Sequence, residues 1–214
     1  MASLSCPACG APVAFRSAAP FAVCGHCQSL LVRRDVTLES LGRVAEVPDD
    51  LSPLQLMTRG VFDKRRFTLV GRLRKTWDEG SWSEWCALFD DQHFGWLAEA
   101  QGDLVMTFES PFRPFTQTPS HETLSRLNAS DLVPINGRAF TVSDIKQVTV
   151  AGAEGELASD VPMNTALTSI DLRGPGLEFA TIELTTRDIH LFLGRYVEFA
   201  DCQFTGLRTL EGWK

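Results

Sequence analysis

Apolar and polar positions alternate along much of this chain with the period of a β-strand. In "RRFTLVGRLRKTW", strict alternation puts Phe67, Leu69, Gly71 and Leu73 on one face. Arg66, Thr68, Val70, Arg72 and Arg74 fall on the other. "WSEWCALFDD", "HFGWLAEA" and "DLVMTFES" follow, broken by turn-like "DDQ" and "AQGD", and read as consecutive antiparallel strands. A second run begins with "RAFTVSDIKQVTVAGAEGEL" and continues through "SIDLRG", "LEFATIEL" and "DIHLFLGRYVEF", with a turn at "GPG", 174–176. The Pro-rich "ESPFRPFTQTPS", with Pro111, Pro114 and Pro119, separates the runs as a crossover or edge segment. Long helical periodicity is absent. One short helical turn is expected at "SPLQLM", after punctuation by Asp49, Asp50, Ser52 and Pro53.

The fold class is therefore mainly β. The two runs read as similar units: "FGWLAEAQGDLVMTF" at 94–108 lies over "FATIELTTRDIHLFL" at 179–193 with a constant offset of 85. Upstream, Phe67 lies over Phe140, and the extra length of the second copy falls in "EGELASDVPMNT". Whether the halves close one barrel or two is open at this point, as is the oligomeric state. The expected organisation is a small module at 1–34, a connecting segment at 35–60, a first β unit at 61–110, the Pro-rich crossover at 111–130 and a second β unit at 131–214.

The small module carries the strongest motif, "CPACGAPVAFRSAAPFAVCGHC". Cys6 and Cys9 form one Cys-x-x-Cys pair, and Cys24 and Cys27 another. Zinc prefers a tetrahedron of thiolates, and each pair supplies two from one tight turn. Gly10 and Gly25 relax the backbone there. The motif predicts a zinc ribbon in which the metal is structural, because four thiolates leave no position for a reacting water. His26 reads as a knuckle side chain, and Cys86 and Cys202 as buried thiols.

Composition is that of an ordinary globular chain of 214 residues, with 14 Phe and 5 Trp to fill a core. No apolar run approaches the roughly 20 residues of a membrane-crossing helix. The N-terminus lacks the pattern of a secretory signal, so the expected location is cytoplasmic. Residues 1–34 hold Arg16, Arg33 and Arg34 and no acid, which leaves the rest with 17 basic and 27 acidic side chains. An acidic body disfavours non-specific nucleic-acid binding, and a zinc–thiolate centre of charge about −2 nearly cancels the ribbon's three arginines.

Taken together, "CPACGAPV…CGHC", "LVRRDVTLESLGRVAEV", "SPLQLMTRGVF", "WSEW" with "GWL", and "EGEL" with "IDLRGPGLEFATIEL" and "GRYVEF" resemble bacterial members of domain of unknown function family 4178. The similarity is to the form with a zinc ribbon ahead of the domain. It implies an accessory protein, often encoded beside polyamine-synthesis and small membrane-protein genes, and no transferable enzymatic mechanism. Two positions depart from similar sequences: Cys86 stands where an aromatic is frequent, and Met57 where glycine is common.

No phosphate-binding loop, metalloprotease helix or nucleophile elbow is present, and the expectation is a non-enzymatic protein. The leading reading is an interaction or adaptor module with a protein partner. Trp82, Glu84, Trp85 and Trp96 are the candidate ligand or partner residues. Trp82 and Glu84 share a strand face, and a carboxylate beside an aromatic face suits a small cation such as a polyamine. The simpler alternative pairs Glu84 with Arg72 or Arg74 and packs the tryptophans. Glu154 and Glu156 form a weaker candidate that reads as surface-loop acids, and the basic stripe from Arg66 to Arg74 reads as solvated or facing acids. Nucleic-acid binding through the ribbon is a further alternative.

Overall fold

A computed structural model describes residues 3–48, 50–112, 119–159 and 166–210. Asp49, Pro114 and the 160–165 part of the extra material in the second run lie outside the described residues. The elements in order are β1 (Ser3–Ser5), β2 (Pro12–Ala14), β3 (Phe21–Val23), β4 (Ser29–Arg34), β5 (Thr37–Arg43), β6 (Arg59–Phe62), β7 (Arg65–Trp77), β8 (Gly80–Phe89), β9 (Phe94–Ala100), β10 (Asp103–Glu109), α1 (His121–Leu124), β11 (Leu132–Ile135), β12 (Arg138–Leu157), β13 (Leu167–Arg173), β14 (Glu178–Leu184) and β15 (Ile189–Val197). The chain is mainly antiparallel β, as its alternation predicts.

Each run forms a four-strand meander, β7–β8–β9–β10 and β12–β13–β14–β15. The meanders join edge to edge: β10 pairs with β15, and β12 with β7. The pairings therefore close one ring of eight strands rather than two. The offset of 85 sets β9 over β14 and β10 over β15, but β12 runs 20 residues against 13 for β7. The extra length of β12 carries it past the ring to pair with β3 of the N-terminal module. Tight turns fix the register. Asp63–Lys64, Gln101–Gly102 and Asn136–Gly137 all have positive φ at both positions, the geometry that two-residue hairpins with a right-handed twist require.

The ring is inverted relative to an ordinary core. Apolar side chains on its outer face are buried under wrapping segments. Phe67, Trp85, Phe89, Leu97 and Met106 lie under β6, residues 50–58 and the C-terminal segment. Ile170, Leu172, Ile182 and Leu191 lie under β11 and α1. Polar side chains of the same strands face inward.

Several expectations are corrected here. The alternation of β7 breaks at a bulge between Leu69 and Gly71. Leu69 packs outside with Phe67, whereas Val70 and Leu73 both pack inside, so the two-face assignment from strict alternation fails beyond Leu69. The cause is a close approach: a Cβ at Gly71 would lie 1.9 Å from the Glu156 carbonyl oxygen on β12. "SPLQLM" forms no helical turn. Thr58 N–H bonds to the Gln55 carbonyl at 3.1 Å, and Met57 takes φ +73, a left-handed conformation that glycine adopts most readily. The one described helix is α1, in the crossover, capped by the Ser120 side chain accepting from Thr123 N–H. β5 pairs with β4, so the ribbon's sheet continues into the segment read from sequence as a connector.

Gly71→Ala should therefore destabilise the protein by about 3 kcal/mol or more, at or above the usual overpacking range, because the obstacle is backbone. Urea denaturation checks this, and an unchanged midpoint would mean that β7 and β12 do not approach as described.

Candidate functional site

Two constellations are built by this fold. The first is the cysteine cluster. In each knuckle the residue just after the second cysteine turns left-handed, Gly10 at φ +78 and Gln28 at φ +60. Gly10 N–H bonds to the Cys6 carbonyl at 2.8 Å and Gln28 N–H to the Cys24 carbonyl at 2.9 Å. The second knuckle thus uses Gln28, not Gly25, as its left-handed residue. The four Sγ atoms lie within 4.8 Å of one another, with Cys6–Cys27 at 3.7 Å and Cys9–Cys24 at 3.8 Å. A metal–sulfur bond of about 2.3 Å implies tetrahedral edges of about 3.8 Å, so the donor set fits one metal ion. Cys27 Sγ sits 3.2 Å from Ser29 Oγ. Hydrogen bonds from the Ser29 side chain and backbone lower the Cys27 pKa to about 6, whereas Cys9, despite a backbone hydrogen bond at Ala11, is pushed up to about 12 by desolvation and the neighbouring thiols. His26 is exposed and outside the cluster.

The second constellation is the interior of the barrel, a cavity of about 330 Å³. Its wall brings together three of the four residues singled out in "WSEW" and "GWL": Trp82, Glu84 and Trp96. Trp85 is separated from them. It points outward, fully buried, with Arg72 4.5 Å from its ring and its indole N–H bonded to Glu99 at 3.0 Å.

Glu84 pairs neither with Arg72 nor with Arg74. Its Oε1 accepts the Trp82 indole N–H at 2.9 Å, and its Oε2 lies 2.7 Å from Lys75 Nζ. Lys75 also contacts Glu183 from the opposite meander. Burial acts to push the Lys75 pKa down, but Glu183 and Glu84 outweigh it and hold the ammonium above its ordinary range. Burial raises the Glu84 pKa, against the opposing pull of Lys75. Asp171 is also in the wall, and burial raises its pKa while a hydrogen bond from Thr181 opposes. Lys146 is spent on Asp144 and lies 5.2 Å from the Trp77 ring centre. At the mouth, Trp77 and Trp82 have ring centres 5.4 Å apart, and Arg173 lies over Tyr196. In all, Glu84, Asp103, Asp144, Asp171 and Glu183 face Lys75, Lys146 and Arg173, leaving an excess of negative charge.

Sequence reasoning missed Lys75, Asp171 and Glu183. Their signal was present, since Ser169, Asp171 and Arg173, like Thr181 and Glu183, sit at every second position of their strands. What was not legible was that this polar face turns inward.

The other acids are structural. Glu154 and Glu156 lie in strand β12, not in a surface loop. Glu154 is 3.7 Å from Arg72. Glu156 is buried and accepts the N–H groups of Arg16 and Ser17 at 2.7 and 3.0 Å. Of the basic stripe, Arg66 is exposed, while Arg72 is buried. Asp50 receives Arg72, Arg74 at 3.2 Å and Arg208 at 3.0 Å. Burial works to raise its pKa, but Arg72, the Ser52 N–H and Arg74 hold it below the ordinary carboxylate range.

Fold and site together define a β-barrel with a polar, charged interior and a cysteine ribbon at one end. The family described as Domain of unknown function (DUF4178) matches residues 55–199, from just before β6 to just beyond β15, and the chain belongs to that family. No curated protein and no solved structure matches the chain. Among the described residues, no helix is long and apolar enough to cross a membrane.

The cysteine geometry predicts one metal ion per chain, lost in a Cys6→Ser/Cys9→Ser variant. Elemental analysis of the purified protein checks this, and full metal content in the variant would overturn the assignment.

Proposed function

We propose that the protein is a non-enzymatic binding protein that takes a small organic cation into its barrel, with zinc as the structural metal of the ribbon. The observation that carries this reading is the acidic excess inside a cavity of about 330 Å³, at the small end of the range for small-molecule sites. Lys75 neutralises part of Glu84 and Glu183, but Asp171 has no ion-pair partner among the described residues. A ligand ammonium would supply that charge, and the aromatic rim of Trp77 and Trp82 would receive its alkylene portion or the cation itself. A polyamine has this chemistry, and the acidic body would favour its approach.

A role as an interaction module in a bacterial system rests on a different surface. β5 is the outer strand of the ribbon sheet, and Val36 and Leu41 on its hairpin are 80% and 45% exposed. Unpaired edges of this kind are routes to a partner chain. The cytoplasm, where thiols stay reduced, suits the metal centre.

Spermidine, tested beside monoamines and a polyanion, should raise the melting temperature by several degrees at saturating concentration. Asp171→Asn should remove most of the shift and Trp82→Ala weaken it. A wild-type melting temperature indifferent to every cation in the panel would overturn the reading.

A further inference from the structure

The floor of the barrel is not made by the barrel alone. Leu73, Cys86, Trp96 and Phe192 from the ring form one buried cluster with Val23 and Leu30 of the ribbon. Trp96 and Phe192 also line the cavity, so the side chains that end the cavity are those that rest on the ribbon. The hairpin of β3 and β4 supplies this contact with one face. Its other face, Ala22 and Leu31, packs with Cys6, Cys24, Val13 and Phe15 around the metal cluster. The hairpin is thus held between the barrel floor and the metal.

Its strand pairing with the barrel is short. β3 pairs with β12 at Glu156–Ala22 and Leu157–Phe21. Glu156 then reaches past the hairpin to the loop at Arg16 and Ser17, accepting both N–H groups and the Ser17 hydroxyl. Among the described residues, the module's own core is six buried residues at its cysteines with Ala11, Cys27 and Leu38 packed against them, and modules this small depend on the metal for their fold.

We infer that metal occupancy of the ribbon controls closure of the barrel floor: with metal bound the cavity is sealed at that end, and metal loss releases the β3–β4 hairpin and opens it. Glu156 is the positioning residue that couples the two, joining the ribbon loop to the strand that also carries Lys146 into the cavity. The consequence for a bound cation rests on the function proposed above, but the opening itself does not. Cys86 reports it. Its side chain lies in the floor cluster, fully buried, with burial pushing its thiol pKa up to about 12. Cys202 is equally buried but sits among the C-terminal wraps, where its carbonyl receives Val61 N–H, and serves as an internal control.

The test is pulsed alkylation of the full-length protein, metal-loaded and after chelation, with each cysteine peptide quantified by mass spectrometry. Cys86 labelling should rise at least tenfold on metal removal while Cys202 stays protected. Because the Glu156 charge also helps to raise the Cys86 pKa, the role of Glu156 is read by amide hydrogen exchange instead: in the metal-loaded Glu156→Gln variant, exchange of the β3–β4 hairpin amides should rise several-fold with metal content unchanged. Continued protection of Cys86 without metal, or equal exposure of Cys86 and Cys202, would overturn the inference; unchanged hairpin exchange in Glu156→Gln would overturn the role of that residue. A spermidine titration on the same samples keeps the two ideas apart. If Cys86 opens but spermidine never shifts the melting temperature, the floor device stands and the cation reading fails.

Discussion

The ammonium of Lys75, held between Glu84 and Glu183 inside the barrel, is the constraint around which the rest is arranged. A charge there is tolerable only because carboxylates from β8 and β14 meet it from two sides. Lys75 lies on β7, so the contact ties the first meander to the second across the interior. It also commits the inward faces of these strands to polar chemistry. The hydrophobic effect must then act on the outer face, and the segments that are not part of the ring, β6, β11, α1 and the C-terminal wrap, bury it. Asp50, gripped by Arg72, Arg74 and Arg208, fastens the 50–58 segment and the C-terminal wrap to the wall.

An interior built this way needs a different solution at its ends. One end is open and aromatic, with Trp77 and Trp82 near the β7–β8 hairpin tip and Tyr196 at the C-terminal end of β15. The other is sealed by apolar side chains that the ring shares with the ribbon. The cysteine cluster is therefore part of the barrel's construction, not a module tethered beside it. The family match begins at residue 55, yet the floor of the matched domain includes Val23 and Leu30 from outside it.

Much of this was legible in the sequence. The spacing of Cys6, Cys9, Cys24 and Cys27 marks the four-thiol cluster that could hold a metal ion, because two short turns bring four donors together whatever surrounds them. Strand alternation gives the elements, and Trp82, Glu84 and Trp96 mark the cavity wall. Three things were hidden for physical reasons. Period-2 alternation says that a strand has two unlike faces but not which one is enclosed, so nothing marked Asp171 and Glu183 as lining an interior. The bulge at Gly71 depends on a backbone across the sheet, and it moves Arg72 and Leu73 to faces that local pattern reverses. Partner choice across the ring is a matter of register, which is why Glu84 meets Lys75 rather than Arg72 or Arg74. Trp85, on the opposite strand face from Trp82 and Glu84, turns away from the cavity as alternation requires.

The most direct measurement of this account is the stability of a Lys75→Met variant as a function of pH. Removing the cation leaves Glu84 and Glu183 buried and facing each other, a loss expected to cost about 3–5 kcal/mol near pH 8. Because burial raises the folded-state pKa of Glu84, the variant's stability should be fullest below the ordinary Glu value of about 4.3 and fall as pH rises through the raised one. The deficit relative to the parent protein should therefore shrink on acidification. A variant as stable as the parent at pH 8, with no dependence of the difference on pH, would contradict the account.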